Sequence, residues 1–379
     1  MIKSFFIWAS FAILPLTMIF FVVRCGFKVR AQAIWAMALL AASAKFLLFE
    51  SFGGDAFLPD FPESAILFWN WLQIGAVFLA MLGVLAFPFR FRGKGLFLPL
   101  VAWTFATVGV YNSIKAPIVR EIPIYYDNLC DELEGYRILQ LGDLHISNAA
   151  RTWRTREIVK IANEAKPDMI CITGDMADGE PEKMGSYVLP LKNLQAKDGV
   201  YAIAGNHEGY RGKKAWAFFF EQCGIRFLEG ETVIPRKGMA VAGVSDPAFV
   251  DAVGGKGGTS EDKPLYQVAT NGEFRILLEH RPSRARFTMP ANNVNLQLSG
   301  HTHGGIMPGL KKIVEWHNSG FLHGVYKIAE NGFLHVTSGV GQWAGFSVRF
   351  YCPSEIPVLV LRRGRARADI KAKEAGDGR

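Results

Sequence analysis

Paired cysteines, internal repeats and a basic globular surface are all missing from this 379-residue chain, and each absence removes a class of function. The five cysteines, Cys25, Cys130, Cys171, Cys223 and Cys352, are scattered, with no CxxC pair. That excludes a disulfide framework and a cysteine-based zinc site. Cys171, inside an apolar run, reads as core. Charged residues make up only 20% of the chain and hydrophobic residues reach 50%, which is high for a soluble enzyme. The net charge of +8 suggests nucleic acid until it is located. Residues 1–115 hold nine Lys/Arg against four Asp/Glu, and residues 361–379 hold seven against three, so the segment between is close to neutral. A protein that grips DNA phosphates needs its positive charge on the folded domain. No nucleic-acid partner is expected.

Long apolar runs are what the chain has instead. Residues 5–23, 31–49, 65–88 and 96–110 are each near the roughly 20 residues that span a bilayer as a helix. Several of Trp8, Trp35, Trp69, Trp71 and Trp103 lie near segment ends, where indole rings suit the membrane interface. A cleaved signal peptide predicts polar mature sequence next, whereas here a second apolar run follows a short basic loop. Residues 1–115 therefore read as a membrane anchor of about four transmembrane helices. The first loop holds Arg24, Lys28 and Arg30, and the third holds Arg90, Arg92 and Lys94. The loop between them holds Glu50, Asp55, Asp60 and Glu63 without a Lys or Arg. The positive-inside rule puts loops one and three in the cytoplasm. The expectation is a multi-pass protein of the cell membrane whose following domain is extracytoplasmic.

From about Arg120 short apolar runs alternate with helical stretches and turns. Strands are expected over residues 137–141, 169–173, 200–204, 239–244, 274–279, 294–298, 333–337 and 357–362. Helices are expected over residues 150–165 and 215–223. This alternation reads as an α/β layered sandwich, a domain over residues 120–363. The Gly-rich residues 253–263 read as a loop, and the basic tail 364–379 as disordered.

Polar, metal-capable residues recur where these strands end. Gly142-Asp143-Leu144-His145 follows the first, and in extended chain Asp143 and His145 share a face. Thr173-Gly174-Asp175-Met176-Ala177-Asp178 follows the second, and Gly205-Asn206-His207-Glu208 the third. His280 closes a fourth, and Gly300-His301-Thr302-His303-Gly304-Gly305 follows a fifth. Taken singly, an Asp-x-His is an ordinary turn, and a strand-end His is an ordinary core or capping residue. The set is not ordinary, because open α/β sheets place their sites at such strand ends. Mixed imidazole, carboxylate and amide ligands suit Mn, Fe or Zn better than Ca or Mg, which prefer all-oxygen shells. Glycines beside the ligands permit sharp turns and close approach of a phosphate.

In order, these blocks resemble the signature of the calcineurin-like metallophosphoesterases: D-x-H, GD, GNH followed by Asp or Glu, a lone His, and GHxH. The resemblance spans roughly Arg137 to Leu361. It is closest to the membrane-associated bacterial branch, on residues 299–305 and on Pro353-Ser354-Glu355-Ile356. It implies an α/β four-layer metallophosphoesterase sandwich, with two mixed β-sheets flanked by helices. It implies two divalent metal ions, with Asp143, His145 and His303 on the first, Asn206, His280 and His301 on the second, and Asp175 bridging. It also implies that His207 faces the substrate as a catalytic group and that Asp178 orients it.

The implied activity is two-metal hydrolysis of a phosphodiester, phosphomonoester or pyrophosphate bond. The substrate is expected to be a phosphorylated small molecule or a lipid-linked envelope component, since tethering concentrates the site at the bilayer. His207 is expected near its ordinary pKa of about 6.5. The alternative from another class is a non-catalytic membrane scaffold or sensor retaining the fold. Intact ligands and His207 argue against it. Gly179 stands where protein Ser/Thr phosphatases carry an Arg, Glu208 is within the family's range, and Ile306 replaces a common Gln. Residues 213–220 read as an amphipathic helix with an aromatic core face, and less readily as an apolar rim touching acyl chains. Arg349, in a strand-like stretch, reads as an ion-pair member. His317, His323 and His335 read as structural.

Overall fold

The computed structural model describes residues 45–52, 58–85, 97–150, 152–210, 213–244, 246–247, 273–307, 309–368 and 373–374. The chain divides into two compact units, one of residues 1–114 with 343–350, the other of residues 115–342 with 351–379.

In the first unit, Glu63–Leu85 and Phe97–Ile114 form helices. Both are long and apolar enough to cross a membrane by length and composition, and they coincide with the third and fourth expected spans. The first expected span and most of the second lie outside the described residues. Thr104 and Thr107 donate their hydroxyls to the carbonyls of Leu100 and Trp103 one turn back, so the apolar helix keeps no unsatisfied hydroxyl there. Lys45 is fully buried, and its ammonium donates to Asn70 Oδ1 (2.6 Å), Gln73 Oε1 (2.7 Å) and the Gly345 carbonyl (2.7 Å). Three donors meet three acceptors, which is the condition for burying an ammonium without a counter-ion. Arg349 forms no part of a strand. It is buried in this unit, with its N–H donating to the Gly109 carbonyl, so the strand expected around it is corrected.

Among its described residues the second unit holds two seven-stranded mixed sheets. The first runs β13-β1-β12-β2-β3-β4-β5. Its members are β1 (Ile118–Tyr126), β2 (Arg137–Leu141), β3 (Met169–Ile172), β4 (Val200–Ala202), β5 (Arg226–Phe227), β12 (Glu355–Arg363) and β13 (Arg367–Ala368). β2 to β5 are mutually parallel, while β12 runs antiparallel to β2. The second runs β14-β10-β11-β9-β8-β7-β6. It comprises β6 (Glu231–Arg236), β7 (Met239–Val244), β8 (Phe274–Glu279), β9 (Leu296–Ser299), β10 (Gly324–Ala329), β11 (Gly332–Val336) and β14 (Lys373–Glu374). Its central strands β7, β8, β9 and β11 are parallel. β13 and β14 lie within the tail expected to be disordered.

Buried strands of this kind read as continuous apolar runs, because both faces are covered. Ile138, Met169 and Cys171 of the first sheet pack with Val241, Ile276 and Leu298 of the second. On the outer face of the first sheet, Ile170, Ile172 and Ala202 meet helices Thr152–Glu164, Pro181–Val188 and Lys213–Gln222. On the outer face of the second, Ala242 and Leu277 meet Ala285 and Met289 of helix Ala285–Ala291. The layers are therefore helix, sheet, sheet, helix. Trp216 and Phe220 are fully buried and, of the aromatic side chains in this helix, only Phe218 is largely exposed, so residues 213–220 follow the core reading.

Candidate metal centre

All five expected blocks emerge from the carboxyl ends of parallel strands. β2, β3 and β4 deliver Asp143 and His145, Asp175 and Asp178, and Asn206 and His207, while β8 and β9 deliver His280, and His301 and His303. Parallel neighbours end on the same edge, which brings blocks far apart in sequence together. The loops are then stitched to one another. Asp143 N–H donates to the Gly174 carbonyl (3.1 Å) and His145 N–H to the Asp175 carbonyl (3.0 Å). Asp143 Oδ1 accepts the His301 N–H (2.9 Å), tying the end of the first sheet to the end of the second.

Among the described residues three groups of side chains offer donor atoms within 4.8 Å of one another: Asp143, His145 and His303; Asp175, His280 and His301; and His145, Asp175 and His207. Asp175 Oδ2 lies 3.3 Å from His280 Nε2, 3.9 Å from His145 Nε2 and 4.0 Å from His207 Nε2. Asn206 Oδ1 is 3.2 Å from His280 Nε2, and His303 Nε2 is 3.0 Å from His145 Nε2. The structure thus gathers the nine residues singled out in the sequence. Asn206 enters through His280, and Asp178 stands behind the cluster.

The far sides of the imidazoles show what the near sides are for. His280 Nδ1 is 2.7 Å from the Thr173 carbonyl, which can only accept, so that nitrogen holds the proton. His145 Nδ1 is 2.8 Å from Asp178 Oδ1, so its proton sits there too. Whenever such a ring is neutral, its Nε2 is a bare lone pair. Bare nitrogens, a carboxylate oxygen and an amide oxygen thus converge without a hydrogen between them, and such a set is stable only around a cation or extra protons. The donor set fits divalent metal.

Backbone conformation repeats the point. Among the described residues ten non-glycines have positive φ, and five are Asp143, His145, Asp175, His301 and His303. From His303 to Ile306 four successive residues are left-handed (φ 48°, 63°, 83° and 56°), and Ile306 is β-branched. Such conformations persist only where the surroundings impose them, and they cluster at functional sites. Two glycines make room for carboxylates. A Cβ on Gly205 would strike Asp175 Oδ1, and one on Gly300 would strike Asp143 Oδ2.

Asp178 does more than expected. Its Oδ1 accepts from His145 Nδ1 (2.8 Å) and also from His207 Nδ1 (2.6 Å). His207 does not keep its ordinary pKa. Burial lowers it, but Asp175 and Asp178 outweigh burial and hold it at about 9. His280, likewise depressed by burial, is carried to about 10 by Asp175 and Asp143. Burial pushes Asp175 up, yet the neighbouring imidazoles hold it well below the usual carboxylate range. Burial, then the charges of His280 and Arg281, hold His301 well below its ordinary value.

Glu208 is the participant that sequence reasoning passed over. It is fully buried. Oε1 accepts the N–H groups of Met176 (2.7 Å) and Ala177 (3.1 Å), and Oε2 those of Asp175 (3.0 Å) and Gly205 (2.8 Å). One carboxylate thereby clamps the loop of Asp175 to the loop of Asn206. Burial and Asp175 push its carboxyl upward, but all four of those partners are donors, so the anion is the form the cradle fits. The signal in the sequence was only an acidic residue after His207. His323 donates to Glu355 (2.9 Å) and His335 hydrogen-bonds Gln140 (2.6 Å), both away from the cluster.

Comparison with known proteins gives a consistent picture. The calcineurin-like phosphoesterase family profile matches residues 136–305. An uncharacterized metallophosphoesterase of Helicobacter pylori is 33% identical over 272 residues, covering 72% of this chain and 70% of its own. A Danio rerio protein described as a transmembrane protein with metallophosphoesterase domain is 29% identical, covering 70% of this chain and 62% of its own. Among solved structures, a 5'-nucleotidase precursor from Thermus thermophilus aligns at 15% identity and a TM-score of 0.33 over 59% of this chain. This chain spans about half the length of that one (54%).

Proposed function

The chain belongs to the calcineurin-like metallophosphoesterases and is an enzyme of that type, and from that premise we propose a membrane-anchored, two-metal phosphoesterase. Asp143, His145 and His303 would hold one divalent ion and Asn206, His280 and His301 the other, with Asp175 serving both. The convergence of Asp175 Oδ2 and His280 Nε2, 3.3 Å apart, is the observation that supports this most directly. Mn, Fe or Zn suits the mixed donors. Ions bound there would supply a water of lowered pKa and neutralise phosphoryl charge.

The protein's own groups do the rest. His207, whose Nδ1–H is held by Asp178 Oδ1 at 2.6 Å, donates a proton to the leaving oxygen. It is 21% exposed while Asp178 is sealed, so its ring meets substrate while its orientation is fixed from behind. Asp178 fixes the tautomer of His145 with the same oxygen, and so couples ligand geometry to acid placement. Glu208 positions the Asp175 and Asn206 loops.

Residues 1–115 form the membrane anchor, residues 120–363 the catalytic domain and residues 364–379 the basic tail. The two long apolar helices and the relatives described as transmembrane proteins support membrane attachment. Loop charge supports a multi-pass arrangement with an extracytoplasmic site. The substrate is a phosphodiester, phosphomonoester or pyrophosphate, small or lipid-linked.

The test uses the full chain in detergent, stripped of metal and given Mn²⁺ or Zn²⁺, on bis(4-nitrophenyl) phosphate and 4-nitrophenyl phosphate. Metal-restored turnover that disappears in Asp175→Ala is the expected result. A metal-loaded chain inert on both, and on pyrophosphate-linked esters, overturns the reading.

A further inference from the structure

One cation at the site has no part in the scheme above. Arg281 follows His280 directly, and its Nε and Nη2 donate to Asp246 Oδ2 (2.5 Å) and Oδ1 (3.1 Å). The two partners differ sharply in exposure: the Asp246 side chain is sealed at 0% while that of Arg281 is 38% exposed. Asp246 N–H donates to the Ala204 carbonyl (3.1 Å), so the pair stands between the His280 turn and the Gly205-Asn206 turn. A buried carboxylate thus holds a guanidinium at the mouth of the site, and three of its five N–H donors lie outside that bond.

Tyr210 stands on the same side. It is 62% exposed, and its ring is 5.8 Å from that of His207. Burial raises the phenol, and the charge of Arg281 pulls it back. Arg281, held through Asp246 beside the Gly205-Asn206 turn, and Tyr210, at the end of the short helix that begins at Asn206, thus both stand by the segment that carries His207.

We propose that Arg281, oriented by Asp246 and flanked by Tyr210, binds a second phosphoryl group on the leaving side of the scissile bond, so that the substrate class is a pyrophosphate-linked ester. This rests on the two-metal reading and narrows it. A planar guanidinium matches phosphate oxygens in a way a point charge does not, and pre-orientation by a buried partner lowers the cost of ordering it. Hydrolysis adds the water oxygen to one phosphorus and breaks its bond to the bridging oxygen. The electron pair leaves with that oxygen, His207 gives its proton there, and the proton lost by the water restores His207. Two phosphomonoesters result.

The test compares kcat/KM for ADP-ribose, a pyrophosphate, with that for bis(4-nitrophenyl) phosphate, a diester without a second phosphate. It uses the full metal-loaded chain in detergent. Dividing one value by the other cancels damage to the metal centre. The ratio should fall at least tenfold in Arg281→Gln, through KM for ADP-ribose, and by less in Arg281→Lys, with metal content intact in both. A ratio within twofold of the parent in Arg281→Gln overturns the proposal. So does a parent that cleaves the diester but neither cleaves ADP-ribose nor is competitively inhibited by it, and the two-metal reading then stands. A metal-loaded parent inert on both esters overturns the proposal, and one inert on 4-nitrophenyl phosphate as well overturns the two-metal reading itself.

Discussion

Replacing Glu208 by Gln changes one oxygen to NH₂ and leaves the side chain's size alone, which makes it a clean probe of the clamp beneath Asp175. The carboxylate accepts four backbone N–H groups, two on each oxygen. The amide keeps one oxygen and so two of those bonds. On the other side an NH₂ faces two N–H groups, donor against donor. Two buried donors lose their acceptor at about 1–3 kcal/mol each, giving a loss of about 4 kcal/mol. For a unit of this size, roughly 2–4 °C per kcal/mol, the catalytic unit should melt about 8–16 °C lower. Because the loosened loops hold Asp175 and Asn206, bound metal should fall as well. Glu208→Asp, shorter by about 1.5 Å, cannot span both loops and should be intermediate. Melting followed by tryptophan fluorescence, with metal counted by elemental analysis, decides it. A Glu208→Gln variant melting within 2 °C of the parent with its metal retained refutes the clamp.

His207→Ala should lower turnover by about 10²-fold or more with metal content unchanged. Lost metal would instead make His207 a ligand beside His145 and Asp175. Metal uptake should release protons. His280 is raised to about 10 from its ordinary 6.5, so in the metal-free protein the stabilisation from its charged form is full below pH 6.5 and lost as pH rises through 10. A metal ligand must be neutral, so affinity should climb across that same window. Calorimetric titration in buffers of different protonation enthalpy, finding no proton released near pH 7, would refute this. Glu355 is pushed up by burial but more strongly down by His323, to about 2 from 4.5. Its contribution, about 3 kcal/mol at roughly 1.4 kcal/mol per pKa unit, is present above pH 4.5 and lost as pH falls through 2. Urea unfolding at pH 7 and pH 3 should show that drop in the parent and a flatter dependence in Glu355→Gln.

Why some of this was legible in the sequence and some was not has physical causes. β2, β7 and β8 appear over the residues their apolar runs mark, because strands covered on both faces leave an unbroken hydrophobic signature. β1 was missed. Its pattern Ile-Val-Arg-Glu-Ile-Pro-Ile-Tyr-Tyr is half exposed, and Pro123 argues against a strand until the parallel partner β12 is known. Helices Asn206–Tyr210 and Lys311–His317 were missed because they are one or two turns long, too short for a 3.6-residue period to register. Every side chain of the metal cluster was visible as a strand-end motif. The second-layer bonds were not. Nothing in the order of residues says that Asp178 serves two histidines or that Glu208 gathers N–H groups from two loops. Both depend on β3 lying between β2 and β4 in the sheet.

That dependence also explains where the site stores its strain. Five residues proposed as ligands are left-handed, and each such residue costs about 1–3 kcal/mol, so the site opposes its own formation by roughly 5–15 kcal/mol. Part is offset locally by the Glu208 fork, by the bond from Asp143 to Gly174 and by the bond from His301 to Asp143. These bonds hold the turns but do nothing for the lone pairs that the turns bring together. The Nε2 atoms of His145 and His280 still lie within 4 Å of Asp175 Oδ2. The metal-free protein can relieve that only by protonating imidazoles, hence the raised His207 and His280, or by letting the turns relax. A divalent ion relieves it without either. The strain is therefore better understood as part of building a metal site than as a defect of the fold: a cation would satisfy the lone pairs that turns held left-handed by the sheet ends bring together.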